Sequence, residues 1–182
     1  MLHDFLAWTN ETAWSVGLRE SLLVWPLVEA THVLTLMLFL GTVVMVDLRL
    51  LGIALREVRI SEMTARILPW TIAGFALMLI TGLLLFSAKP LVYYHSLFFR
   101  LKMLLLFAAL ANIVLFHHRL QRGLPHWDDA TRLPAAARVP AAISLLSWIA
   151  IVICGRMIAY DWLNCEKLPA DGLLSLLASC PA

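Results

Sequence analysis

Glu29 and His32 lie inside the apolar run LLVWPLVEATHVLTLMLFLGTVVMV. Three residues apart, they fall on one side of a helix. A carboxylate and an imidazole are expensive in hydrocarbon, and such residues normally face a bundle interior and serve a function there. The pair reads first as one catalytic or metal-binding motif. Glu-x-x-His is also the spacing of carboxylate-bridged di-metal bundles, but those need a second such pair and further carboxylates. Glu29 stands alone as an acidic residue deep in an apolar run, so the sequence predicts no metal centre.

The elements that must position these residues are membrane helices. Of 182 residues, 62% are hydrophobic and 14% charged, against roughly half and a quarter in a soluble domain. Apolar runs at 22–46, 67–87, 97–116 and 139–163 each approach the roughly 20 residues that cross a bilayer. The expected fold is all-α: an integral membrane four-helix bundle forming a single domain over residues 1–182, with an outer tail over 164–182. The lipid bilayer is its first partner. No basic patch with interleaved aromatics suggests nucleic acid. Residues 1–20 lack the basic start of a signal peptide; residues 3–20 are expected to form a short interfacial helix instead.

Orientation follows from arginine. The linker after the first run carries Arg49, Arg56, Arg59 and Arg66; that after the third carries Arg119, Arg122, Arg132 and Arg138. The positive-inside bias puts both linkers in the cytoplasm and both termini outside, in the periplasm of a bacterial inner membrane. Cys165 and Cys180 would then sit in an oxidising compartment, where a disulfide between them is reasonable; free thiols are the alternative if the topology is inverted. It would staple LPADGLLSLLAS, which reads as a short surface helix. Cys154 reads as a small packing residue.

A fixed rise of about 1.5 Å per residue allows positions on different spans to be compared by depth. Glu29 and Arg156 match, and a buried ion pair is the simplest way to hold both. Arg100 and Lys102 start the third span nearby, or snorkel. His32 has no histidine at its own depth. His95 lies in the outer loop, and His117 and His118 at the inner end of the third span. Met78 is near its level, flanked by Gly74 and Gly82 on one helix face. Such glycines let a helix or a flat cofactor approach the backbone.

Haem is the cofactor that histidines commonly hold inside such bundles. The sequence therefore points to haem b and electron transfer to a redox partner. His32 would be one axial ligand, Met78 or His95 the other, with Arg156 and Arg100 or Lys102 at the propionates. His117 could serve a second, inner site. The competing reading is a cofactor-free scaffold or accessory subunit, with Glu29–Arg156 and His32 as internal polar contacts. A third is a homo-oligomer conducting an ion or small molecule. No nucleophile–base pair, phosphate loop or HExxH occurs, so the sequence assigns no reaction. Asp47 and Arg49 close the first span, with Asp47 expected to bind Arg49, Arg119 or loop amides. Ser61 is the expected N-cap of a linker helix. Asn112, Ser144 and Ser147 are expected interhelical hydrogen-bond formers.

The stretches WPLVEATHVLTLMLFLGTVVMVDLRLLG, FFRLKMLLLFAALANIVLFHHR and WIAIVICGRMIAYDW resemble a family of bacterial four-helix inner-membrane proteins of unknown function. The resemblance rests on Glu29, His32, Asp47–Gly52, Arg100, Lys102, Asn112, His117, Gly155, Arg156, Ala159 and Tyr160. It implies a fold and a set of positions, not an activity. A looser similarity links the chain to copper-resistance D-type proteins and small b-type cytochromes of four helices.

Overall fold

The computed structural model describes residues 1–127, 133–160, 165, 173, 177 and 178; within 117–127 only the side chain of His118 is described. Seven helices are described: α1 (Leu2–Glu11), α2 (Ala13–Glu20), α3 (Val24–Leu51), α4 (Ile60–Ala88), α5 (Pro90–His95), α6 (Leu97–Trp127) and α7 (Ala135–Tyr160). Four of them, α3, α4, α6 and α7, contain stretches long and apolar enough to cross a membrane. The chain is an all-α membrane protein built on a four-helix bundle. Large apolar side chains such as Leu34, Met37, Ile80, Leu104, Phe107 and Leu146 face outward, as lipid contact requires.

The bundle runs up and down. Gly74 of α4 meets Phe39 of α3, and Gly82 meets His32. Asn112 of α6 bonds the Pro140 carbonyl of α7, while Lys102 meets Gly155. His32–Gly82 and Lys102–Gly155 each set an early residue of one helix against a late residue of the next. α3 packs chiefly on α4 and α7, and α6 on α7; α4 and α6 touch only lightly. Phe39, Val43, Met78, Ala109, Trp148 and Ile151 form the apolar middle. The Trp148 ring stands edge-on to Phe39, with centroids 4.8 Å apart.

The helices outrun the apolar runs at the arginine-rich end. α3 continues through Asp47 and Arg49 to Leu51, where Gly52 ends it at φ +72°, a conformation that costs glycine little. The expected linker helix is not separate. It is the first part of α4, whose N-cap is Arg59 rather than Ser61. Pro69 and Pro140 consequently lie inside α4 and α7, where each leaves a carbonyl of the preceding turn without its donor. The N-terminal segment is two helices, not one. Thr12 divides them: its hydroxyl donates to the Thr9 carbonyl at 2.7 Å and accepts from the Ser15 amide at 3.3 Å.

These short helices cap one end of the bundle. The Ser15 hydroxyl donates to the Ala88 carbonyl at 3.1 Å, and Lys89 lies over the Trp25 ring at 4.8 Å. His3 stacks edge-on against Tyr94 and His95. Burial raises the Tyr93 phenol above its ordinary value, with the charge of Glu29 adding to the shift.

Candidate functional site

Each membrane helix sends a polar or small residue to one level in the capped half. α3 brings His32, α4 Thr81 and Gly82, α6 Lys102, and α7 Cys154 and Gly155. His32 Nδ1 lies 2.9 Å from Thr81 Oγ1. Thr81 spends its own proton within α4, donating to the Leu77 carbonyl at 2.8 Å. Its oxygen is then an acceptor, so Nδ1 carries the imidazole proton and donates. The Met78 carbonyl also interacts with the imidazole. Nε2 is then the unprotonated nitrogen, with no hydrogen-bond partner among the described residues. A histidine held this way, by a donated bond from its other nitrogen, is oriented as a ligand.

Lys102 is the second basic group. Its Nζ lies 3.6 Å from where a Cβ on Gly155 would stand, and it interacts electrostatically with both His32 and Cys154. Cys154 is a buried free thiol. Among the described residues no carboxylate pairs with Lys102.

Gly74 and Gly82 do not open space for a flat cofactor. A Cβ at Gly82 would stand 3.3 Å from His32 Cε1, and one at Gly74 would stand 3.1 Å from the Phe39 amide nitrogen. The room they create is filled by α3 itself. Met78 is buried in the apolar middle, and its carbonyl lies 3.2 Å from Thr81 Oγ1. Its side chain packs in that core with Phe39, Val43, Ala109, Trp148 and Ile151, which commits Met78 to packing and not to holding a haem. His95 is engaged in the cap, with Nδ1 3.3 Å from the Ala178 carbonyl.

The proposed cations also part company. Arg100 donates to the carbonyls of Tyr94, Leu177 and Ala178, tying the tail to the cap. Arg156 is exposed and donates to Tyr160 Oη at 3.1 Å. Glu29 is exposed too, and the ion pairs among the described residues do not join it to Arg156. Depth matches for this pair, but direction does not: neither side chain enters the bundle. His117 and Cys180 lie outside the described side chains. Cys165 is disulfide-bonded.

The match to known proteins fits this picture. A family model described as a family of unknown function, DUF6644, covers residues 17–161. The chain belongs to the DUF6644 family. That span takes in α3, α4, α6 and α7 and every residue of the His32 centre. No curated protein and no solved structure matches the chain. The likeness of this DUF6644 chain to copper-resistance proteins or b-type cytochromes is therefore not shown, and among the described residues no group of three or more His, Cys, Asp or Glu is placed to hold a metal ion.

Sequence reasoning passed over a second polar site, in the arginine-rich half. Asp47 is 5% exposed and hydrogen-bonds Ser144. It does not pair with Arg49. Two residues apart, they point to different sides of α3, and Arg49 Nε donates instead to the Val58 carbonyl at 2.8 Å. The signal was present as an acidic residue four positions from a helix end, but it reads equally as a solvated cap.

Proposed function

We propose that this chain is an electron-transfer membrane protein that binds haem b in the capped half of its bundle, with His32 as the protein ligand. The observation that carries the reading is the His32–Thr81 bond, which fixes the proton on Nδ1 and leaves Nε2 open. Lys102, a cation with no carboxylate beside it among the described residues, suits a propionate. The fit rests on these two residues; Met78, His95, Arg100 and Arg156 are committed elsewhere, and His117 stays a position for a second site. Haem, when bound, would supply one-electron chemistry; the chain would supply ligation, a countercharge and exclusion of water. The arginine distribution and the Cys165 disulfide support a bacterial inner membrane with periplasmic termini.

The visible spectrum of protein purified in mild detergent from haem-replete cells tests this. A Soret band that sharpens on dithionite reduction is expected, lost in His32→Ala and retained in His95→Ala. A colourless preparation, or an unchanged band in His32→Ala, would sink the proposal. A cofactor-free scaffold or accessory subunit is the second reading, favoured by the tight seating of His32 against Gly82. It predicts that His32→Ala lowers thermal stability in a protein that was never coloured.

A further inference from the structure

At the other end of the bundle, beyond the Phe39–Trp148 layer, lies a cavity of about 140 Å³ shared by α3, α4, α6 and α7. Most of its polar groups are already committed within the protein. Thr42 donates to the Phe39 carbonyl at 2.7 Å, and Thr71 to the Ile67 carbonyl at 3.1 Å. Asn112 Nδ2 donates to the Pro140 carbonyl at 2.9 Å, and Ser144 to the Asp47 carboxylate. The three hydroxyl hydrogens are used within the protein and their oxygen lone pairs remain, while Asn112 keeps a second N–H. Asp47 Oδ2 and Thr64 Oγ1 are buried with no hydrogen-bond partner. Thr64 brings an unspent hydroxyl, and the unpartnered carboxylate oxygen calls for a donor that carries positive charge.

The rest of the lining is hydrocarbon, including Val46, Leu50, Ile67, Ile113 and Phe116. A bare alkali ion would find few oxygens among those walls. An apolar cavity of roughly 150 Å³ accommodates one benzene ring. Pockets that are mostly apolar with a few convergent polar groups take small organic molecules oriented by those groups. We infer that this cavity binds a small lipophilic amine, its ammonium on Asp47 and its hydrocarbon body against α4 and α6. The site is separate from the His32 centre and does not depend on haem.

The test uses the full chain in mild detergent at neutral pH, with benzylammonium chloride as probe. The melting temperature should rise with benzylammonium. Benzyl alcohol should bind at least tenfold more weakly, and sodium chloride at equal ionic strength should give no comparable rise. Asp47→Asn, which keeps the shape and removes the charge, should weaken benzylammonium at least tenfold. Ala141→Leu should abolish binding by filling the cavity with the carboxylate intact, and it carries the test if Asp47→Asn does not fold. Equal binding of amine and alcohol would overturn the inference in favour of a neutral ligand. An equal rise with sodium would overturn it in favour of an inorganic ion. Undiminished benzylammonium binding by Ala141→Leu would show that the probe binds elsewhere.

Discussion

His32 and Lys102 bring two basic side chains to one level of a membrane bundle, and small residues make that possible. Gly82 admits the imidazole, and Gly155 admits the ammonium. Replacing Gly82 by alanine would put a methyl 3.3 Å from His32 Cε1, so the ring must shift a few tenths of an ångström and strain its bond to Thr81. Overpacking of this kind costs about 1–3 kcal/mol. Gly82→Ala should lower stability in the wild-type background and cost little when His32 is also alanine, a coupling that thermal unfolding of the double-mutant cycle reads directly. Asp47 behaves differently. Its neighbour Ser144 uses one carboxylate oxygen and leaves the other buried without a partner, so its identity matters more to a ligand than to packing.

Among elements, the α3–α4 contact sets the geometry of everything else. Gly74 lets the backbones approach until only a hydrogen fits beside the Phe39 amide. Here the obstacle is backbone, which cannot rotate away. Gly74→Ala is expected to destabilise by about 1–3 kcal/mol and to displace His32 relative to Thr81. Gly41 is the control on the same pair of helices. Nothing lies within 4 Å of a Cβ added there, and alanine is favoured over glycine within a helix by about 1 kcal/mol. Gly41→Ala should therefore raise the melting temperature where Gly74→Ala lowers it. Trp148 closes the middle of the bundle against Phe39 and is fully buried. Trp148→Ala should cost about 3–5 kcal/mol. Trp148→Phe should cost far less, because the indole N–H has no partner to lose.

The whole molecule is two polar sites separated by an apolar layer, with a cap at one end. The cap is held by side chain to backbone bonds, Arg100 chief among them. Arg100→Ala should free the tail without unfolding the bundle, seen as faster proteolysis beyond Tyr160 with the melting temperature little changed. The cap also gives the fold an alkaline limit. The Tyr93 phenol is held above its ordinary value of 10.0 by burial and by Glu29. Its folded form keeps a proton that the unfolded chain gives up, so stability is intact below pH 10 and falls as pH rises past it. Glu29→Gln should bring the Tyr93 titration, followed by ultraviolet absorbance, closer to the ordinary value.

Local chemistry determined the spans. A run of apolar residues crosses a membrane whatever its neighbours do, and a fixed rise per residue makes depth readable. On that basis Met78 falls near the level of His32, but nothing singles out Thr81, the residue that bonds it, and Lys102 reads only as a cation at the start of its span. Direction was not readable. The membrane helices are apolar on nearly every side, so nothing local says which face turns inward. Glu29 and Arg156 show the consequence: equal in depth, both on the outside. Asp47 shows the converse, a residue that reads as a solvated cap until α4, α6 and α7 close around it. The sequence alone settled how many helices cross and, to within about a turn, how deep their residues lie. Only the packing of those helices decided which polar groups meet, because that depends on rotation about each helix axis, which is fixed by contacts between helices and not within them.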